Sequence, residues 1–136
     1  MAKRYRKHWW WMSFWAVGVA QQFMLVPLVY PMYTITLASG GVEWTIVDSI
    51  ATGGSLLGIG IACVADNQLY SYCNRSKKEK PPVLSEGLWS LSRHPNYVGE
   101  QIWWWSFALF AVARSDYLAL MGAFINSCVL VHVTGK

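Results

Sequence analysis

The sequence predicts an all-α protein, a polytopic transmembrane bundle of about four membrane-spanning helices, on three observations. Only 13% of the 136 residues are charged and 54% are hydrophobic, whereas an ordinary soluble domain carries about 25% charged residues. Nine tryptophans stand in this short length, and indole concentrates where hydrocarbon meets lipid head groups. The bases cluster: Lys3, Arg4, Arg6 and Lys7 open the chain, and Arg75, Lys77, Lys78, Lys80 and Arg93 crowd one later segment. A small water-soluble domain leaves much of its surface in solvent, and seven acids with eleven bases are too few to cover it. The mean hydropathy of +0.27 points the same way. The length fits a single membrane domain over residues 1–136. Nucleic acid is a poor partner despite the net charge of +4, because that reading needs a basic face on a water-soluble fold.

Each element has its own marks, taking about 20 apolar residues as one crossing. The first lies within Trp9 to Ala38, where Pro27 and Pro31 predict a kink or break. This run is too long for a signal-peptide core, so the basic start reads as the flank of a retained anchor. The second runs from about Trp44 to Tyr72, with Gly53, Gly54, Gly58 and Gly60 letting a neighbour approach its backbone. Asp48 near its start reads as a cap or interface charge, and its last turns carry Asp66, Asn67 and Gln68.

Residues 73–94 form the long hydrophilic stretch, read as a cytosolic loop with Lys77, Lys78 and Lys80 near anionic lipid. Pro95 suits the first position of a helix, and the third apolar run continues to about Ala113. Arg114, Ser115 and Asp116 make a turn. The fourth run extends from Tyr117 to about Val133, with His132 near its end and Gly135 as its stop. Four crossings gather ten of the eleven Lys and Arg on one side, the cytosolic side with both termini. The opposite loops carry Glu43 and an Arg114–Asp116 pair. Cys63, Cys73 and Cys128 are odd in number and form no CxxC pair, so they read as small buried hydrophobes, and no metal site is expected.

The stretch richest in chemistry is Arg93, His94, Pro95, Asn96, Tyr97, Val98, Gly99 and Glu100. With Pro95 at the helix start, Asn96 and Glu100 are four apart and share a face. Glu100 then sits about one and a half turns into the membrane, where an ion needs a partner or a ligand. An open helix N-terminus beside Arg93 and His94 favours an anion such as a cofactor phosphate. The plainer alternative has Arg93 and His94 on lipid head groups and Glu100 paired with Gln21 or Asn67. Trp9 to Trp11 and Trp103 to Trp105 read as interfacial anchors and packing residues.

Arg93 to Glu100 resemble the RHPNYxGE signature of the steroid 5-alpha-reductase-like membrane family. Ala65 to Tyr70 are similar to that family's ADxQLY stretch, and Gly87 to Ser92 to its GLWxxS lead-in; Trp10, Trp11, Met12, Ser13 and Phe14 with Gln21 and Gln22 extend the likeness. The resemblance implies that Asn96 and Glu100 hold the nicotinamide end of NADPH, that Asp66 lines the cofactor cavity, and that Arg93, His94 and Tyr97 neighbour the cofactor. An amide and a carboxylate suit the donors and acceptor of a carboxamide. It further implies hydride transfer to a steroid- or lipid-like substrate entering from the bilayer, in the endoplasmic reticulum membrane for a eukaryotic source.

Part of the signature is shared with the isoprenylcysteine carboxyl methyltransferases, which use S-adenosylmethionine; Asn96 and Glu100 are the positions that favour the reductases. The family domain extends on both sides of this stretch, with further helices ahead of Met1 and a cytosolic tail beyond Thr134 and Gly135. The chain therefore corresponds to a shortened member, to which the resemblance assigns no catalytic residue. A noncatalytic membrane protein, partner of a full-length relative, is the remaining reading.

Overall fold

The computed structural model describes residues 10–11, 14–38, 40, 43–76 and 81–134. The N-terminal bases, Trp9, Lys77, Lys78, Lys80, Gly135 and the side chain of Gln21 lie outside the described residues. Among those described, the fold is all-helical: α1 (Ala20–Leu37), preceded by a π-helical segment Phe14–Val19; α2 (Ile46–Cys73); α3 (Pro95–Val112); and α4 (Leu120–Thr134). Short 3-10 turns at Gly87–Ser90 and Tyr117–Ala119 lead into α3 and α4.

α1 continues through Pro27 and Pro31, so of the expected kink or break the break does not occur. Because the prolines are four apart, Pro31 has no N–H for the Pro27 carbonyl. α4 closes on that carbonyl at Gly122, where a Cβ would overlap it. A glycine Cα–H brought this close is itself a weak donor, so tertiary packing meets a group that the helix leaves bare.

α2 begins with a capping box: the Asp48 amide donates to the Thr45 hydroxyl (3.2 Å), and the Thr45 amide donates to Asp48 Oδ2 (2.9 Å). That reciprocal pairing satisfies two of the helix's free donors. At 28 residues α2 is long and apolar enough to cross a membrane, while Leu25–Leu37 and Tyr117–His132 are shorter apolar runs.

α3 is the central helix. It packs along α2 on one side and against α1 and α4 on the other, and α1 packs on α4. The α2–α3 register is antiparallel: Asp48 meets Arg114, and a Cβ on Gly54, Gly58 or Gly99 would meet Ser106, Gly99 with Trp103, and Ala62. The buried apolar core is made mostly of alanine, with Leu28 and Leu84 as its larger members. The bulky side chains point outward, among them Ile46 (81% exposed), Phe23 (76%) and Val131 (69%).

Two expectations are corrected. All three cysteines are exposed and not buried. Arg114 does not pair with Asp116; its guanidinium donates to Asp48 Oδ1 and to the Phe110 carbonyl, at 2.6 and 2.7 Å. Asp116 instead accepts from the Thr34 hydroxyl (2.9 Å) and the Leu118 amide (3.1 Å). These bonds, the Thr34 hydroxyl's first, hold the Asp116 carboxyl below its ordinary value.

Candidate functional site

The end of α2 builds a platform for the start of α3. Gln68 Oε1 accepts the Leu88 amide and the Ala65 carbonyl accepts Trp89 Nε1, both at 3.0 Å. Between them the turn needs Gly87: its φ of +58° is left-handed, and a Cβ would run into the Gln68 amide. A bidentate Arg75–Glu86 pair, at 2.7 and 2.6 Å, ties the same loop to the end of α2. The guanidinium hydrogen bonds hold the Glu86 carboxyl below its ordinary range.

This platform delivers Ser92, Arg93 and His94 to the N-terminus of α3. Pro95 is its first residue, His94 occupies the cap position, and no side chain caps the helix. The His94 ring stacks on Tyr97, with centroids 5.2 Å apart.

Asp66, Asn96, Tyr97 and Glu100 then line one cleft of about 270 Å³ between α2 and α3. Gly58 and Gly99 set its floor, each so close to the opposite backbone that a Cβ would come within 2.6 Å of it. Asn96 Oδ1 is buried with no hydrogen-bond partner, an arrangement that costs about 1–3 kcal/mol in a protein interior. Glu100 Oε1 accepts only a long bond from Trp104 Nε1 (3.3 Å), one turn along the same helix. Its carboxylate makes no bond with Asn67, while the expected Gln21 partner has its side chain outside the described residues; Asp66 has no partner among the described side chains.

Arg93 and His94 fall elsewhere. They line a second cavity, of about 730 Å³, on the other face of α3 toward α4. Tyr97 alone of the six singled-out residues borders both spaces. The i, i+4 spacing therefore brings Asn96 and Glu100 together as expected, while Arg93 and His94, at the turn before the helix, diverge from them. Sequence reasoning missed Cys63 and Trp103, which complete the cleft walls. Their signal was available: Cys63 lies three residues before Asp66 and Trp103 three after Glu100, each on the same helical face as its neighbour.

A family model described as Protein of unknown function (DUF1295) matches residues 1–136. No curated protein and no solved structure matches the chain.

Proposed function

This chain belongs to the DUF1295 family, and we propose that it is a multi-pass membrane protein of the steroid 5-alpha-reductase-like kind whose α2–α3 cleft takes the nicotinamide end of NADPH. The observation that carries this reading is the meeting of Asp66, Asn96 and Glu100 at one cleft, with a buried Asn96 oxygen left unpartnered. A carboxamide presents two N–H donors and one carbonyl acceptor, so its donors match Asn96 Oδ1 and the Glu100 carboxylate. When bound, NADPH supplies a hydride for a lipophilic substrate reaching the site from the bilayer. The chain's own part is to orient and to exclude water: Asn96 and Glu100 fix the amide plane, Tyr97 and Trp103 wall the cleft, and Asp66 faces it from α2.

The membrane part rests on the outward bulky side chains and on helix length. α1 with its π-helical start reaches from Phe14 to Leu37, and α4 with its 3-10 start from Tyr117 to Thr134. Each is near the about 20 residues of a crossing. The clustered bases orient both termini and the 74–94 loop to the cytosol, in the endoplasmic reticulum membrane for a eukaryotic source.

The size of the cleft favours a second reading. At about 270 Å³ it lies just below the ~300–1,000 Å³ usual for small-molecule sites, as a noncatalytic relative that partners a larger protein would have. The test is NADPH binding by the detergent-solubilised chain, with S-adenosylmethionine as comparator. Saturable NADPH binding that falls at least about tenfold in Asn96→Ala/Glu100→Ala supports the reductase-like site. Cys63 adds a second readout, because it lines the cleft: in a Cys73→Ser/Cys128→Ser background, NADPH is expected to slow its alkylation. Protection by S-adenosylmethionine instead favours a methyltransferase, and protection by neither favours the noncatalytic reading.

A further inference from the structure

The larger cavity, between α3 and α4, has a polarity of its own. Its body is apolar, walled by Val98, Ile102 and Trp105 of α3 and Leu130 of α4, and its mouth carries Arg93 and His94. Among the described residues, Arg75 is paired with Glu86 and Arg114 with Asp48, whereas Arg93 has no such partner and no acidic side chain lines the cavity. The mouth also abuts the uncapped N-terminus of α3, whose free amides and dipole add to the positive field. About 16 Å of helix separates His94 from Trp105 at 1.5 Å per residue.

Partway down stands a polar group with unmet needs. The Ser127 hydroxyl accepts Trp105 Nε1 at 3.0 Å and has one proton to share between Gln101 Oε1 at 2.5 Å and the Ala123 carbonyl at 2.9 Å. Gln101 Nε2 is buried without a partner. A buried donor left bare beside this cavity is costly unless something supplies an oxygen.

We propose that this cavity binds a single-chain anionic amphiphile drawn from the bilayer. Its carboxylate or phosphate meets Arg93 and the start of α3, its chain runs along Val98 and Ile102 toward Leu130, and, in a lipid that carries one, an ester or hydroxyl oxygen is offered to Gln101. The volume of about 730 Å³ lies within the range of small-molecule sites, and the opposite charge of head and mouth fixes the direction of the chain. The site is on the other face of α3 from the cofactor cleft and does not depend on that reading.

The test is photolabelling of the full chain in phosphatidylcholine vesicles. The probes are palmitate and lysophosphatidate carrying a diazirine in the acyl chain, with the palmitate methyl ester as uncharged control. Both anionic probes are expected to label residues around Ile102 and Leu130, and the ester to label them at least about tenfold less. Arg93→Gln is expected to cut the anionic labelling by a similar factor and Arg93→Lys to retain most of it, which separates charge from folding. Ile102→Trp, which fills the chain path, is expected to abolish labelling there.

Three results overturn the proposal. Labelling of the outward residues Leu56 and Val131 as strong as that of the cavity marks bulk lipid. Competition by inorganic phosphate marks an anion site without a chain path. Competition by NADPH makes the cavity part of the cofactor site.

Discussion

Asp48 shows no solvent exposure, and each of its oxygens is answered. Oδ1 receives the Arg114 guanidinium and Oδ2 the amide and hydroxyl of Thr45. A buried carboxylate is tolerated only when so compensated. Arg114→Met is expected to destabilise the solubilised protein by about 3 kcal/mol, because it strands the carboxylate, whereas Arg114→Met with Asp48→Leu restores much of the loss. Melting temperatures of the single and double variants decide this. The Arg75–Glu86 pair makes a different prediction, because it lies in the loop. Its Glu86 carboxyl is held below the ordinary value of 4.5 by the Arg75 hydrogen bonds. A depressed pKa contributes stability that is present above that ordinary value and is lost as pH falls through the folded one. Amide exchange at Leu88, corrected for its intrinsic pH dependence, is expected to accelerate below about pH 4.5 in the parent; in Glu86→Gln that step is absent. The capping role of Asp48 was legible from its place near a helix start. Its partner was not, since Arg114 lies 66 positions away, and the nearer Asp116 is taken by Thr34 of α1.

At the scale of elements, the α2–α3 crossing is the joint on which the cleft depends. Gly58 and Gly99 bring the two backbones into contact, and a Cβ on Gly99 would lie 2.6 Å from the Ala62 nitrogen and the Gly58 oxygen. Neither is a flexible side-chain end, so the helices must part. Gly99→Ala is expected to cost about 1–3 kcal/mol and to weaken any ligand of the cleft with it. Gly53→Ala and Gly60→Ala meet open space, and there the added methyl is neutral or stabilises by up to about 1 kcal/mol through helix propensity. Denaturant titration followed by circular dichroism separates the two classes. The sequence reading placed α2 and α3 to within about two residues, because the apolar runs mark their extent and Pro95 is a local start signal. It also grouped the four glycines of α2 as one packing surface, which the structure divides: Gly58 is at the joint while Gly53 and Gly60 face outward. Period alone does not say how wide a seam a partner covers. The approach of Gly122 to the Pro27 carbonyl was equally hidden, because it joins residues from opposite ends of the chain.

For the whole molecule, the register of contacts constrains the topology more than any single helix does. Asp48 lies against Arg114 at one end of the α2–α3 pair, and Asp66 shares a cleft with Asn96 at the other. The two helices therefore cover the same depth in opposite directions, so a membrane crossed by α2 is crossed by α3. The Thr34–Asp116 bond brings the end of α1 to the level where α3 ends and α4 begins. The described residues 38, 40 and 43–45 and the 113–119 turn accordingly belong to one face, and residues 74–76 and 81–94 to the other. Among the described helices, composition marks α2 alone as long and apolar enough to span, because polar and indole groups in α3 dilute its hydropathy; the sequence, at about 20 apolar residues per crossing, leads to an expectation of four spans. These views part in one experiment. In a background with Cys63, Cys73 and Cys128 replaced by serine, single cysteines are introduced as Gly40→Cys, Ser85→Cys and Ser115→Cys, and sealed vesicles are treated with a membrane-impermeant maleimide from each side. A four-span bundle labels Ser85→Cys from the side of the basic loop, and Gly40→Cys and Ser115→Cys together from the opposite side. A single crossing by α2 labels Ser115→Cys with Ser85→Cys, and that result would require α3 to leave the register in which Arg114 reaches Asp48.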